Sequence, residues 1–252
     1  MTIPWTQVAS VMLLRYLLAA GISFIIWYVL RKSAWSYKKI QLKFPTGKDY
    51  LREVGYSLLT IVIFTLVAII LFSPFVKPYT LVYSEISTYG YGYLVLSIFM
   101  LILLHDTYFY WTHRLMHHKR LYRLSHLIHH KSTNPSPWAA FAFHPIEALF
   151  EVGIIVLAVF LFPLHRLAIA AFLIFMIIYN VYGHLGYELY PKRFYKHWLG
   201  EWLNTSTNHN MHHEFVKGNY GLYFTFWDRI MGTTHKKYEA RYDEVKGRSR
   251  PS

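Results

Sequence analysis

The 252-residue sequence predicts an all-α integral membrane protein: a polytopic bundle of four to five hydrophobic spans with a His-rich helical cap on the cytoplasmic side. Three observations predict it. Long apolar runs lack charge, basic residues fall on one side of those runs, and histidines cluster beyond them. Apolar residues make up 54% of the chain, aromatic residues 19% and charged residues only 15%, where a soluble domain carries about 25% charge. That excludes a disordered chain. There are 15 histidines and no cysteine. A disulfide scaffold is therefore excluded, as are a Cys-ligated iron–sulfur cluster, a Cys zinc finger and a thiolate-ligated haem. Imidazole is what this chain offers a metal.

The spans follow in order. About 20 apolar residues cross about 30 Å of hydrocarbon. Residues 8–30 hold one charge, Arg15, close enough to the start of the run to snorkel. Residues 55–74 hold none, and residues 89–105 hold none, with apolar character running on to Trp111. Residues 152–164 and 167–183 are also uncharged, and the Pro163-Leu164-His165-Arg166 step between them reads as a tight turn. That last pair is expected to be a short or re-entrant hairpin.

Charge sets the orientation. Of 26 Lys and Arg, 23 lie in segments 31–52, 113–145 and 184–252, while loops 75–90 and 163–166 carry one each. These groups alternate as a serpentine chain requires, which puts the N-terminus outside and the basic segments in the cytoplasm. The net charge of +13 then reads as topology and lipid-headgroup contact, not as nucleic-acid binding. The first run is not expected to be a cleaved signal peptide: residues 1–10 have no basic residue, and no clean small-residue site follows.

Thirteen of the histidines fall in segments 113–145 and 184–252. His113, His117 and His118 form one cluster, His126, His129 and His130 a second, and His209, His212 and His213 a third. On a helix, residues i, i+3 and i+4 share a face, so such pairs can hold one metal and a triplet can reach toward another. Three clusters exceed what one four-coordinate zinc needs, and two metals is the economical reading. Neutral imidazole suits iron, zinc, copper or nickel.

Asp106, Tyr110, His113 and His117 form one stripe leading out of the third span. Asp106 is expected to hydrogen-bond a ligand histidine, and His105 is a candidate for a similar supporting role. His118 points about 100° away from His117 and is set aside. His165, His197 and His235 are read as turn or surface residues, and Asp228 as a salt-bridge partner closing the C-terminal part. The chain lacks H-E-x-x-H, G-x-S-x-G, P-loop and dinucleotide fingerprints.

These motifs resemble the fatty acid hydroxylase/sterol desaturase superfamily of membrane di-iron enzymes. The likeness runs from about Asp106 to His235. Asp106 through His117 looks like its first box, His126-Leu127-Ile128-His129-His130 like its second, and His209-Asn210-Met211-His212-His213 like its third. Asn219-Tyr220-Gly221 and Trp227-Asp228-Arg229 resemble its closing motif, and His184 matches an additional family histidine. The stretch from Pro135 to Glu147, with its His144-Pro145 step, is most similar to the sterol C5-desaturase (lathosterol oxidase) branch.

The resemblance implies residues 1–90 as N-terminal spans with a basic linker, 91–240 as the catalytic domain and 241–252 as a polar tail, solvated from Tyr242. It implies two iron ions, although the spacing alone allows zinc, with O2 as co-substrate. The metal-ligating and catalytic set is then His113, His117, His126, His129, His130, His184, His209, His212 and His213, with His144 as a further candidate ligand. Trp138, Phe141 and Phe143 are candidates for a substrate channel. The substrate is a lipid, sterol or fatty acyl. Electrons come from an external cytochrome b5-like or ferredoxin-like protein, since no flavin, haem or iron–sulfur motif is present and no cytochrome b5 domain is attached. Two rival readings are a membrane metal transporter, which would place His or acidic residues near the middle of the spans, and a bis-His haem protein, which would face histidines across spans.

Overall fold

The computed structural model describes residues 4–250. The chain is mostly helical, and four of its helices are long and apolar enough to cross a membrane: α1 (Trp5–Leu30), α2 (Gly47–Leu71), α3 (Gly90–Met116) and α7 (Arg166–Gly183). Between α3 and α7 lie the short helices α4 (Tyr122–Ser125) and α5 (Leu127–His130), then α6 (Pro145–Leu161); after α7 come α8 (Ser206–Phe215), α9 (Phe226–Ile230) and α10 (Tyr238–Gly247). The 17 residues of α6 extend about 25 Å at 1.5 Å per residue. With α7 they form the expected short hairpin.

Local chemistry explains the helix ends. Thr46 and Asp49 form a reciprocal capping box at the start of α2. His165 caps α7 by accepting from Leu167 N at 3.0 Å, and its Nε2 lies 2.7 Å from the Ser84 carbonyl. Helix α1 widens into π-type turns at Leu17–Gly21 and Ile25–Leu30. At the far end of the bundle, β1 (Val82–Tyr83) pairs in parallel with β2 (Leu164–His165), so the loop before α3 is tied to the turn between α6 and α7.

The main core joins α1, α2, α6 and α7 through Tyr16, Phe64, Ile154 and Phe172, and it also takes in Phe141 and Phe143. Those two belong to a segment, a 3-10 helix over Pro137–Phe141 followed by an irregular step, that enters the bundle from the cap side. Backbone polar groups there need partners, and two of its carbonyls take side-chain donors from the spans. Tyr16 and Ser57 hydroxyls both donate to the Trp138 carbonyl at 2.9 Å, and Asn180 Nδ2 donates to the Ala140 carbonyl at 2.7 Å.

Two expectations need correction. Arg15 does not snorkel to an end of its helix; its guanidinium lies 5.9 Å over the Phe141 ring, inside the bundle. The C-terminal segment is not a solvated tail, because α10 buries Tyr242 completely and Tyr242 donates to the Pro191 carbonyl at 2.9 Å; residues 251–252 lie outside the described residues. The basic linker also contributes to the interior. Lys39 is buried, with Nζ 3.3 Å from Asn134 Oδ1 and 5.3–5.6 Å from the rings of Phe44, Tyr187 and Tyr28.

Candidate metal centre

Nine histidines gather into two adjoining groups. His113, His117, His126, His130 and His212 form one; His129, His184, His209 and His213 form the other. In each group the ligand-capable nitrogens lie within 4.8 Å of one another. Helix geometry sorts them. His126 and His130 are four residues apart and share the first group, while His129, turned about 100° away from His130, enters the second. In α8 the assignment is reversed: His209 and His213 share the second group, and His212 enters the first. The doublets His129-His130 and His212-His213 therefore each feed both groups.

The Nε2 atoms converge. His113 to His126 is 3.0 Å, His117 to His113 is 3.2 Å and His130 to His117 is 3.1 Å. In the second group His184 to His129 is 3.3 Å, His209 to His184 is 3.1 Å, and His213 is 3.2 Å from both His184 and His209. Ligands about 2.0–2.1 Å from one ion stand about 3.0–3.4 Å from each other, so these spacings fit a metal at each group. His212 Nε2 is buried without a partner, as a ligand nitrogen aimed at an ion would be.

The other ring nitrogens are held from behind. His113 Nδ1 lies 2.9 Å from the Tyr220 carbonyl, His184 Nδ1 2.8 Å from the Asn180 carbonyl and His212 Nδ1 2.7 Å from the Gly218 carbonyl. A carbonyl can only accept, so each Nδ1 carries the proton and each Nε2 presents its lone pair. His126 Nδ1 stands 2.8 Å from Glu147 Oε1, at hydrogen-bonding distance but not in hydrogen-bonding alignment. Burial, reinforced by neighbouring imidazoles, pushes His126, His129, His130, His209, His212 and His213 well below the usual imidazole range. Burial brings His184 to about 4. The cluster is neutral at pH 7, as metal ligation requires.

The remaining expected residues separate from this centre. His144 joins neither group; its Nδ1 accepts from Ile146 N at 3.3 Å and caps α6. Asp106 bonds no ligand histidine. Its Oδ1 accepts from the backbone N of Tyr223 at 2.8 Å and of Phe224 at 3.1 Å. His105 Nδ1 lies 2.8 Å from the Tyr223 hydroxyl, so both residues dock the 220–224 loop onto α3. Asp228 makes no salt bridge with Arg229, which instead stands 3.7 Å from Glu201. The Asp228 carboxylate accepts from Tyr220 N at 2.9 Å, Gly221 N at 2.7 Å and Thr233 Oγ1 at 2.6 Å. Of the three candidate channel residues, Phe143 meets the centre, with its ring 5.3 Å from that of His129. Phe141 stacks on Tyr16 at 5.7 Å and Trp138 tilts against Tyr16 at 5.8 Å.

Glu147 and Glu188 were not singled out by the sequence. Glu188 Oε2 accepts from Thr207 N at 3.0 Å and Thr207 Oγ1 at 2.7 Å, fixing the first turn of α8. A carboxylate in a region as poor in acid as this one was the available signal.

Residues 98–233 match the family model described as fatty acid hydroxylase. The chain belongs to the fatty acid hydroxylase family. It is 31% identical over 182 residues to the Delta(7)-sterol 5(6)-desaturase ERG3B of Gibberella zeae, covering 72% of this chain and 55% of that protein. It is 32% identical over 184 residues to the lathosterol oxidase of Homo sapiens, covering 72% of this chain and 60% of that protein. A third relative, the Delta(7)-sterol 5(6)-desaturase erg3C of Aspergillus fumigatus, is 30% identical over 214 residues, 77% of this chain and 65% of that protein. The chain thus spans between half and two thirds of the length of these relatives. No solved structure matches it. Within this fatty acid hydroxylase family member, the matched region contains all nine clustered histidines, while α1, α2 and α10 fall outside it.

Proposed function

We propose that this family member is a membrane oxidoreductase that hydroxylates or desaturates a lipid, using O2, electrons from an external cytochrome b5-like or ferredoxin-like protein, and two iron ions held by the nine clustered histidines. The observation that carries the proposal is the convergence of Nε2 atoms into two adjoining, buried, all-imidazole groups at one end of a bundle with four apolar spans. A bound iron pair would supply the oxidising power, drawn from O2 and two electrons, to break an unactivated C–H bond.

The chain's own residues do the rest. The Tyr220, Asn180 and Gly218 carbonyls hold ligand protons on Nδ1. Phe143 offers an apolar wall beside His129, which excludes water from the side that faces the lipid-embedded helices. Asp106 and Asp228 hold the 220–224 loop, so that the Tyr220 carbonyl stays behind His113. The names of the relatives make a sterol-like lipid the first substrate to try. By the positive-inside pattern, the metal centre faces the cytoplasm, where an acidic electron donor would meet a basic surface.

Comparative lipid mass spectrometry of cells with and without the gene tests this reading. A lipid gaining one oxygen or losing two hydrogens only when the gene is present is the expected result. Identical lipid profiles in both, with the protein expressed and iron-loaded, would overturn it.

A further inference from the structure

Tyr110 is wholly buried, one turn before His113 in α3. Its phenol oxygen stands 3.0 Å from Thr233 Oγ1, and Thr233 Oγ1 donates to Asp228 Oδ1 at 2.6 Å. A hydroxyl has a single proton to give. Thr233 gives its own to the carboxylate, so the phenol is the donor to Thr233. Arg114 Nη1 donates to the phenol oxygen at 3.3 Å. The Tyr110 O–H thus heads a relay that ends on a carboxylate. Rings continue from Tyr110 in both directions. Inward, the Tyr220 ring lies 6.3 Å from Tyr110, 5.0 Å from His117 and 5.6 Å from both His113 and His212. Outward, Trp227 stacks on Tyr110 at 6.0 Å and Trp111 meets it edge-on at 5.4 Å; the two indoles are 5.5 Å apart. Trp111 is exposed. Phenol and indole are the side-chain rings that most easily give up one electron. A continuous series of them leads from the five-histidine group to the surface, while Phe143 meets the other group.

We propose that Tyr110 is a redox-active tyrosine that drains oxidising equivalents from the metal centre to the surface when no lipid is bound. The proposal rests on the oxygenase reading for its oxidant, which is derived from O2 at the metal centre. Tyr110 gives one electron to the centre through the Tyr220 ring, and its O–H bond breaks. The proton goes to the Thr233 oxygen as the proton of Thr233 passes to Asp228. A buried phenol cannot lose the electron alone, because the cation left behind would be a charge without solvent. The relay removes that charge and leaves a neutral phenoxyl radical. Tyr110 then takes one electron from Trp227 or Trp111 and recovers its proton along the same relay. A soluble one-electron reductant, a thiolate or an enediol, refills the indole at the exposed end. One electron has moved from the reductant to the centre, and no ligand histidine has been oxidised.

Two radical measurements on the full chain in detergent test it. In the first, iron-loaded protein without lipid is mixed with hydrogen peroxide, frozen and read by electron paramagnetic resonance. A tyrosyl radical is expected, with a signal that narrows when the tyrosines carry ring deuterium. It should be lost in Tyr110→Phe and in Thr233→Val, which keeps the phenol and removes its proton acceptor. In the double variant Trp111→Phe, Trp227→Phe it should outlive the parent signal, because no indole refills Tyr110. The second measurement needs no metal. A ruthenium polypyridyl photo-oxidant is attached to Leu115→Cys, one turn from Trp111 and the single thiol in a chain without cysteine. A flash with an external electron acceptor should yield the same tyrosyl radical, lost in Tyr110→Phe and in the double variant. No tyrosyl signal under the flash, or one unchanged in Tyr110→Phe, would overturn the assignment of Tyr110. A peroxide signal unchanged in Thr233→Val would overturn the relay. A flash signal with no peroxide signal from iron-loaded protein would overturn the draining role. Failure of the oxygenase reading shows separately, in the lipid profiles, and leaves the flash result standing.

Discussion

His184 Nδ1 lies 2.8 Å from the carbonyl oxygen of Asn180, one turn earlier in the same span. The His184 backbone N–H reaches that same oxygen at 3.1 Å. A helix end normally leaves its last carbonyls in search of donors. Here one of them orients a ligand histidine, so the end of α7 and the second histidine group are built by one atom. His184 also touches His129, His209 and His213 through Nε2. Removing it should empty the four-histidine group and spare the other. We expect His184→Ala to bind about one metal per chain where the parent binds about two, by elemental analysis of purified protein. An unchanged ratio would refute the division into two sites.

The doublets make a second test. His129 and His212 belong to different groups, and each is the doublet member that crosses to the group not used by the i, i+4 pair of its own helix. Either His129→Ala or His212→Ala should abolish product and lower bound iron, while far-UV circular dichroism stays that of a folded helical membrane protein. Full activity in either variant would sink the assignment of all nine as ligands.

Glu147 is buried beside His126 Nδ1, 2.8 Å away. A carboxylate behind an imidazole raises its basicity toward a metal, and losing such a partner weakens metal binding by about 10–100-fold. Glu147→Gln is therefore expected to retain the fold and release metal to a chelator at about 10–100-fold lower concentration. Chelator titration followed by metal analysis checks this.

Lys39 predicts a pH dependence of stability. Burial lowers its ammonium to about 7, below the ordinary lysine value of about 10.4. Between those two values the unfolded chain binds more protons than the folded one, so stability should rise with pH from about 7 to about 10, by at most about 1.4 kcal/mol per pH unit. Thermal unfolding in detergent across that range should show the slope in the parent and a flatter profile in Lys39→Met. Parallel profiles would mean that Lys39 stays charged in its aromatic surround.

Much of the fold was legible because its signals are periodic or one-sided. Four of the four to five expected spans were visible as apolar runs with at most one charge, although the helices extend past the apolar boundaries, as α2 does by starting at Gly47. The histidine groups were visible because i, i+4 spacing carries geometric meaning within one helix. Less accessible was anything set by contacts between distant segments. Asp106 had a ligand histidine on its own stripe, yet it serves the 223–224 backbone more than a hundred residues away. His144 resembled a ligand by composition and acts as a helix cap. Arg15 had a short route to the bundle end, but the Phe141 ring, brought into the bundle by the 3-10 helix Pro137–Phe141, draws it inward. A charge in a hydrophobic run says that something will compensate it, and not from which side.

The short parallel pair of β1 and β2 bears on how a lipid gets in. Leu81 N donates to the Val159 carbonyl at 2.8 Å and Leu164 N to the Leu81 carbonyl at 3.1 Å, which fastens the connector from α2 to α3 onto the turn between α6 and α7. The opposite end of the bundle is fastened by the histidine-bearing cap. Helices bound together at both ends have their slack in the middle, like the staves of a hooped cask. For the lipid substrate proposed above, the way in would then be sideways, between helix midsections, without passing through water.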